Sequence, residues 1–342
     1  MKVAVYYNNK DVRIEEMPIP EINDGEILVK TIAAGICGTD VMEWYRIKKA
    51  PSILGHEISG VVEKIGRNVK NFKIHDRVFV SHHVPCMKCY YCLSNHHTAC
   101  ETLHKTNFDP GGFSEYIRIP KINVELGTLE LPENVSFEEG TFIEPIGTVV
   151  RAQRLADLKQ SDAVLIIGSG ISGLMHIKLA KSKNVRRIIA VDLNDYRLNF
   201  AKRFGADFIF NANEDIPKKI REVNEDRLAD LVIVCTGALS AANQALKCVG
   251  KGGTILFFAV PKPDEKLEIP INDFWRNEIK IMTSYGAAPN DLKESLDLIK
   301  NKKINVADMI THRLKFDEIQ KGFQLVAEAK ESIKVIVEPN RL

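Results

Sequence analysis

The stretch from Val164 to Asp192 constrains the fold of this chain more than any other part of the sequence. Its first residues, the short apolar run Val164 to Ile167, suit a strand that is buried on both faces. A turn with the glycine spacing G-x-G-x-x-G follows, and after it come a helix with an apolar side and a second apolar run, Ile188 to Val191. This order predicts a strand, a tight turn, a helix and a parallel strand, the beginning of a doubly wound α/β sheet. The predicted turn contains Gly168, Gly170, Ile171, Ser172 and Gly173.

The glycine turn and the acid that follows it predict a dinucleotide site. The first glycine allows the tight turn, the second lets the backbone approach a pyrophosphate, and the third lets the helix close on the strand. Asp192 ends the second run, where a carboxylate accepts hydrogen bonds from the ribose hydroxyls and repels a 2′-phosphate. We therefore predict NAD rather than NADP. Arg197 is assigned to the same site, although its charge favours the phosphorylated cofactor. The alternative is an open α/β sheet whose glycines serve only close packing.

Composition excludes several classes of protein. A chain of 342 residues, 45% of them hydrophobic, is expected to form two domains with sizeable cores. The formal net charge of +2, with both signs interspersed, gives no electrostatic reason to expect a nucleic acid or a membrane surface as partner. We predict neither a signal peptide nor a membrane-spanning segment. The seven cysteines, odd in number and mostly clustered, predict metal binding in a reducing cytoplasm rather than disulfides.

The spacing of the apolar runs divides the chain into two kinds of structure. Residues 1–148 carry short β-branched or aromatic runs separated by turn formers, which is typical of a β barrel or folded sheet. One of the predicted strands is Phe113 to Ile119. From residue 149 strands and helices alternate, as in a parallel sheet with helices on both faces. Two amphipathic helices are predicted near Leu292 to Lys300 and Phe316 to Ala329, and we expect this C-terminal part to complete the first domain. The predicted domains are residues 1–148 with 285–342, and residues 149–284.

Four cysteines in one short segment form the pattern C-x2-C-x2-C-x7-C. Four thiolates can surround one tetrahedral zinc ion at about 2.3 Å each and leave no open position, so such a site is structural. Iron–sulfur proteins also use C-x2-C-x2-C, but their next cysteine follows after three residues and precedes a proline, unlike the last cysteine here. Zinc is therefore the preferred ion. The cluster is Cys86, Cys89, Cys92 and Cys100, and the neighbouring His82, His83, His96 and His97 are expected to be solvated.

A second set of metal-binding residue types is scattered along the first domain. It comprises Cys37 in GICGTD, His56 and Glu57 in GHE, and Glu144 in IEP. Each has an ordinary explanation, since a lone cysteine is usually a small buried residue and a lone glutamate a surface charge. Spacing alone cannot bring them together. One thiolate, one imidazole and one carboxylate nevertheless make a three-ligand zinc site with a fourth position open for water or a substrate oxygen.

In their order and intervals these motifs resemble the zinc-dependent medium-chain dehydrogenase/reductase family, especially its sorbitol and polyol dehydrogenase branch. The motifs are GICGTD, GHEISGVVEKIG, the cysteine cluster, PGGFSEY, IEPIG and GSGISG, and the resemblance covers essentially the whole chain. The resemblance implies a GroES-like β-rich catalytic domain and a Rossmann domain that binds NAD. It also implies two zinc ions per subunit, one catalytic and one structural, a homodimer or homotetramer, and an alcohol or polyol as the substrate.

The resemblance assigns Cys37 and His56 as ligands of the catalytic zinc. In this branch the positions of Glu57 and Glu144 serve either as ligands or as holders of the zinc-bound water. Glu144 stands where alcohol dehydrogenases carry a second cysteine, and the carboxylate is a harder, more exchangeable ligand. This difference favours polyols or secondary alcohols over simple primary alcohols.

The same resemblance makes the Thr39 hydroxyl the acceptor of the substrate proton. Met42 stands where the family usually continues the relay with a histidine, so the relay is expected to end through a ribose hydroxyl and water. Thr236 and Val260 would touch the nicotinamide half of NAD. Candidates for the substrate wall are Trp44, Tyr45, Arg46 and Tyr285.

Three interpretations of function follow. The first is a zinc-dependent, NAD-linked alcohol or polyol dehydrogenase, with a threonine- or butanediol-type dehydrogenase of the same family as the nearest alternative. Met42 counts against the threonine enzymes, whose pattern uses the histidine. The second is an iron–sulfur electron-transfer protein, and the third is a non-catalytic dinucleotide-binding regulator. A regulator has no need of the residues at the predicted catalytic centre.

Overall fold

The structure is a computed structural model that describes residues 1–340. It divides into two compact units, one formed by Met1–Gly147 with Gly286–Leu342 and the other by Thr148–Tyr285. Each junction lies one residue from the limit expected from the sequence. Within the described residues, no helix combines the length and the apolar composition needed to cross a membrane.

The strands and helices are numbered in chain order. The strands are β1 Lys2–Asn8, β2 Asp11–Glu16, β3 Ile27–Ile36, β4 Ser52–Ile53, β5 Glu57–Ile65, β6 Arg77–Val80, β7 Tyr116–Ile119, β8 Thr128–Glu130, β9 Ala163–Ile167, β10 Arg187–Asp192, β11 Phe208–Asn211, β12 Ala229–Val234, β13 Val249–Phe257, β14 Lys280–Thr283, β15 Ile310–Lys315 and β16 Lys334–Glu338. The α-helices are α1 Glu43–Arg46, α2 Tyr90–Leu93, α3 Glu101–Lys105, α4 Lys121–Gly127, α5 Phe137–Gly140, α6 Ile143–Leu155, α7 Ile171–Ser182, α8 Asp195–Arg203, α9 Ile216–Val223, α10 Leu239–Cys248, α11 Ile271–Arg276, α12 Pro289–Lys300 and α13 Ile319–Glu328.

The unit formed by residues 148–285 contains a six-stranded parallel sheet in the order β11-β10-β9-β12-β13-β14. This is the doubly wound order in which the chain starts in the middle and winds outward in both directions. All five residues of β9 are buried, because strands in such a sheet are covered by helices on both faces. The predicted Rossmann architecture is confirmed.

The other unit is β-rich, as predicted, and its largest sheet has seven strands in the path β15-β16-β3-β5-β6-β8, with β7 also paired to β3. The long strand β3 is the centre of this sheet, since it pairs with β5, β7 and β16. Strand β16 runs antiparallel to β3 with Val335 opposite Ile36. The C-terminal segment therefore supplies a strand next to the centre of a sheet that begins in the first forty residues.

Two predicted elements are shorter than expected. The strand predicted to start at Phe113 begins only at Tyr116, because the Ser114 hydroxyl donates to the carbonyl of Gly111 at 2.6 Å and holds the preceding residues in a turn. The helix predicted from Phe316 is divided into a 3₁₀ turn, Phe316–Glu318, and α13. That helix stops at its C-cap residue, Ala329, which adopts a left-handed conformation.

Candidate zinc centres and cofactor site

The pairing of β3 with β5 assembles the first candidate centre. Gly35 lies opposite Glu57 in this antiparallel pair, so Cys37, just after β3, comes close to His56, just before β5. The ligand atoms of Cys37, His56 and Glu57 all lie within 4.8 Å of one another. Register, rather than sequence spacing, brings the three donors together.

Asp40 organises the Cys37 side of this centre. Its buried carboxylate accepts a hydrogen bond from the backbone N–H of Cys37 at 3.1 Å and lies 3.4 Å from Nδ1 of His56. Burial disfavours a charged imidazole, but the neighbouring Asp40 and Cys37 outweigh it and raise the pKa of His56 well above its usual value. The centre formed by Cys37, His56 and Glu57 therefore favours a cation. A thiolate, an imidazole and a carboxylate are donors that suit a zinc ion.

Thr39 and Arg46 lie beside the same centre. The Thr39 hydroxyl donates to Cys37 Sγ at 3.3 Å. Arg46 Nε donates to the Thr39 carbonyl at 2.9 Å, and its Nη2 lies 3.4 Å from both the Thr39 hydroxyl and the Asp40 carboxylate. The predicted proton acceptor is thus oriented on the metal-binding side by a cation that the sequence suggested only as part of the substrate wall.

The Glu57 carboxylate forms a buried ion pair with Lys334 of β16. Both residues are only 1% exposed, and Lys334 Nζ also lies 3.5 Å from the carbonyl oxygen of Ile36. A Cβ at Gly35 would collide with this pair, so glycine is required there by close approach. Lys334 donates to Oε2 of Glu57.

Glu144, the second residue of α6, is not part of the group of ligand atoms that lie within 4.8 Å of one another. It nevertheless lies close enough to interact electrostatically with His56 and Glu57. Burial raises the pKa of Glu144 to about 7, with His56 and Lys334 opposing the shift and Glu57 adding to it. Of the two carboxylates singled out from the sequence, Glu57 is therefore the one that meets Cys37 and His56 directly.

The four clustered cysteines form the second candidate centre, and all their sulfur atoms lie within 4.8 Å of one another. The Cys89–Cys92 and Cys86–Cys100 sulfur pairs are each 3.6 Å apart. Four thiolates at about 2.3 Å from one zinc ion would be about 3.8 Å apart. In an iron–sulfur cluster the thiolates bind separate irons and lie farther apart. The spacing fits a single tetrahedral ion.

Replacing Cys100 by serine is expected to release this ion and to loosen residues 86–105. The buried apolar cluster that the structure describes in this segment consists of Cys92, Cys100 and Leu103. Such a small cluster is too little to keep the segment folded without the metal. We expect zinc content to fall by one ion per chain and proteolysis within the segment to become about tenfold faster or more. Cys248→Ser, a buried cysteine in α10, is the matched control. Unchanged zinc and unchanged cleavage would contradict the assignment.

The glycine turn lies between β9 and α7, where the sheet order reverses direction. Gly168 has a φ of 94°, a conformation that favours glycine, and a Cβ at Gly173 would collide with the carbonyl oxygen of Gly168. Gly170 caps α7 without a side-chain hydrogen bond. The N–H groups of the first turn of α7, including Ile171 and Ser172, are therefore available to an anion such as a pyrophosphate.

The other predicted cofactor residues lie at the same edge of the sheet. Asp192 ends β10, and its carboxylate accepts hydrogen bonds from the backbone N–H groups of Ser169, at 2.6 Å, and Asn194. The Arg197 guanidinium lies 3.8 Å from the position a Cβ would take at Gly170. Thr236 and Val260 follow β12 and β13, and the two loops touch, since a Cβ at Gly237 would be 2.7 Å from the Val260 carbonyl oxygen.

Three residues at the zinc centre were not assigned a role there from the sequence: Asp40, Lys334 and His82. A lysine inside the apolar run of β16 was the available signal for Lys334. The expectation that His82 is a solvated loop residue is wrong, because it is half-buried and its ring centroid lies 4.9 Å from that of His56. The four neighbouring cysteines already completed a metal site, so no signal in the sequence assigned His82 to a second one.

Comparison with known proteins agrees with this arrangement. The alcohol dehydrogenase GroES-like domain matches residues 23–128, and the zinc-binding dehydrogenase domain matches residues 172–301. The chain is 33% identical to a probable D-xylulose reductase A of Aspergillus clavatus, over 95% of this chain and 93% of the relative. It is 32% identical to a sorbitol dehydrogenase of Bacillus subtilis, over 100% of this chain and 98% of the relative. The crystal structure of an alcohol dehydrogenase from E. coli CFT073 with NADH is similar, with a TM-score of 0.88 and 27% identity over 99% of both chains.

The chain therefore belongs to the zinc-dependent medium-chain dehydrogenase/reductase family. Within that family it is an alcohol or polyol dehydrogenase, which uses zinc and NAD and acts on a small-molecule alcohol.

Proposed function

We propose that this enzyme oxidises a secondary hydroxyl of a polyol or a secondary alcohol at the centre formed by Cys37, His56 and Glu57, with Glu144 close by. The donor set carries the proposal, since one thiol, one imidazole and one carboxylate lie within 4.8 Å of one another. Three protein ligands leave a fourth position for a substrate oxygen. The names of the xylulose reductase and sorbitol dehydrogenase relatives support a polyol as the substrate.

In this proposal the residues of the chain orient the ligands and move the proton. Zinc held by this donor set would supply a Lewis acid for the substrate oxygen, and NAD, when bound, would supply the hydride acceptor. Asp40 fixes His56 through Nδ1 and leaves Nε2 for the metal. Thr39 Oγ1 accepts the substrate proton and passes its own to water, because Thr39 is exposed and Met42 offers no acceptor of its own. The nearby Arg46 cation favours the departure of that proton.

An initial-rate screen tests the proposed substrate class. It compares sugar alcohols, 2,3-diols, secondary alcohols, primary alcohols and L-threonine, each with NAD and with NADP. We expect the highest kcat/KM among the polyols, diols or secondary alcohols with NAD. A clear preference for primary alcohols or for threonine would count against the substrate class while leaving the zinc chemistry intact.

Asp192→Ser is expected to relax the preference for NAD. The change removes the charge that repels a 2′-phosphate and leaves Arg197 in place, so the ratio of kcat/KM with NADP to that with NAD should rise about a hundredfold. Steady-state rates with the two cofactors measure this ratio. Asp195→Ser, at an exposed acid on α8, is the control. If Asp192→Ser changed the ratio no more than Asp195→Ser does, Asp192 would not select the cofactor.

We further propose that the enzyme is a homo-oligomer, a dimer or a tetramer, in the cytoplasm. Strand β14 is an edge of the six-stranded sheet, and α11 before it exposes Ile271 by 67% and Trp275 by 76%. An unpaired edge beside exposed apolar side chains favours pairing with a second copy of the chain. None of the seven cysteines, all of which lie within residues 1–340, forms a disulfide, which favours a reducing compartment.

Trp275→Glu is expected to shift the oligomer toward a smaller species, because a carboxylate cannot be buried there without a partner. Light scattering after size-exclusion chromatography measures the mass. Tyr90→Glu is the matched control, since Tyr90 is also 76% exposed but lies on the cysteine segment. An unchanged mass for Trp275→Glu, or an equal loss for Tyr90→Glu, would rule out this edge as the interface.

A further inference from the structure

His82 has a ring next to the candidate zinc centre and no partner for that ring in the described structure other than aromatic neighbours. Its centroid lies 4.9 Å from that of His56 and 3.8 Å from that of His83. The Phe108 ring covers a further side at 6.3 Å in an edge-on orientation. The His82 imidazole thus lies against the candidate metal ligand His56. Its neighbours are aromatic rings, against which an apolar side chain such as phenylalanine would pack equally well.

The backbone that carries His82 is firmly anchored. The buried Asn123 side-chain amide donates to the carbonyl oxygens of Ser81, at 2.9 Å, and His82, at 2.8 Å. The Ser81 hydroxyl donates to the carbonyl of His83 at 2.9 Å. The ring position is therefore pre-organised, as expected of a group that recognises a ligand rather than of a mobile loop residue.

The ring nitrogens of His82 are unused by the rest of the described chain. Its Nδ1 is buried and has no hydrogen-bond partner. The residue is only half-buried, and Nε2 is the ring nitrogen that a ligand can reach. A buried polar atom without a partner lowers stability unless something else pairs with it. The polar edge of His82 has no structural explanation.

We propose that His82 recognises a second hydroxyl group of the substrate, next to the one that is oxidised, and so makes the enzyme selective for vicinal diols and polyols over monohydric alcohols. This inference rests on the proposed function and narrows its substrate class. His82 touches the substrate but takes no part in hydride or proton transfer.

The chemistry and dimensions of the site support this role. A hydroxyl group both donates and accepts, so it pairs with Nε2 of an imidazole in either tautomer. The rings of His82 and His56 lie 4.9 Å apart, centroid to centroid, so both rings border the same small space, and neighbouring oxygens of a diol are only about 3 Å apart. A substrate held near His56 by its reacting oxygen can therefore reach His82 with the neighbouring one.

A matched pair of substrates isolates this contact. Butane-2,3-diol, as each of its three stereoisomers, and butan-2-ol are both secondary alcohols and differ by one neighbouring hydroxyl. In His82→Phe, which keeps an aromatic ring, we expect kcat/KM for the preferred diol to fall about 10- to 100-fold. The loss should fall mainly on KM, because the hydrogen bond forms in both ground and transition states. Turnover of butan-2-ol should change by less than about threefold.

Two measurements besides turnover separate recognition from damage to the site. Zinc content should stay at the wild-type value in His82→Phe, and calorimetry should show weaker diol binding to the enzyme–NADH complex. His82→Gln restores a donor and an acceptor and should recover part of the diol selectivity. The control is His83→Phe, the same change one residue on, which should leave selectivity unaltered.

The possible results separate the role of His82 from the proposed alcohol oxidation. Equal losses for diol and butan-2-ol, a loss of zinc, or unaltered diol binding in His82→Phe would overturn the role of His82. A wild-type enzyme that oxidises butan-2-ol as well as any diol stereoisomer would overturn it too, while the proposed alcohol oxidation would stand. A wild-type enzyme inactive on every alcohol in the screen would overturn both.

Discussion

Replacing Cys37 by alanine is expected to remove the catalytic zinc ion and to lower kcat/KM by about 10⁴-fold or more, because the thiolate is one of only three close donors. Metal analysis should then find one zinc ion per chain, held by the four-cysteine site. The affinity for NADH, measured by calorimetry, should stay within about threefold of wild type, since the glycine turn belongs to the other unit.

Cys248→Ala is the control for this experiment, because it removes a buried thiol that no candidate centre uses. It should keep two zinc ions and most of the activity. If Cys37→Ala kept two zinc ions or a wild-type rate, the proposed catalytic centre would be wrong. Loss of NADH binding would instead indicate misfolding.

Replacing Lys334 by methionine is expected to destabilise the β-rich unit by about 3–5 kcal/mol, because it leaves the buried Glu57 carboxylate without its partner. Lys334 also opposes the raised pKa of Glu144, so its loss makes that carboxyl easier to protonate and should weaken zinc binding as well. The chain has two tryptophans, and Trp44 lies in the β-rich unit. Urea unfolding followed by its fluorescence in a Trp275→Phe background reports on that unit.

The double variant Lys334→Met with Glu57→Gln is the decisive comparison. Removing both charges leaves no unpaired ion, so the double variant should recover much of the stability that Lys334→Met alone loses. Its zinc affinity should stay low, because Glu57 is also a candidate ligand. If the single and double variants were equally unstable, the loss would come from packing of the lysine stem rather than from the unpaired buried charge of Glu57.

The parallel-sheet unit could be predicted from the sequence because its determinants are local. The glycine turn and Asp192 lie within one strand–turn–helix–strand segment, and each has a role that the neighbouring residues dictate. The strand order is then the known doubly wound solution. The assignments of Asp192, Arg197, Thr236 and Val260 to NAD remain predictions.

The catalytic centre was only partly predictable, because strand register assembles it. Residue types and family resemblance identified Cys37, His56 and Glu57. The pairing of β16 with β3 places Lys334 beside Glu57 and joins residues that are far apart in the sequence. The periodicity of apolar residues along a strand does not reveal which distant strand it pairs with. Glu144 shows the same limit, since the sequence made it equal to Glu57 whereas the structure places it outside the close group.

The position of β16 has a consequence for biosynthesis. The parallel-sheet unit is one continuous segment, so all of its strands have been translated before the last residues of the protein leave the ribosome. The β-rich unit cannot complete its main sheet until β16 emerges to cover one side of β3. During translation the growing chain therefore carries an unpaired edge on β3, next to Cys37, for as long as the remainder of the protein takes to be made. A ribosome stalled shortly before residue 334 would present a finished Rossmann unit attached to an open, aggregation-prone half-sheet.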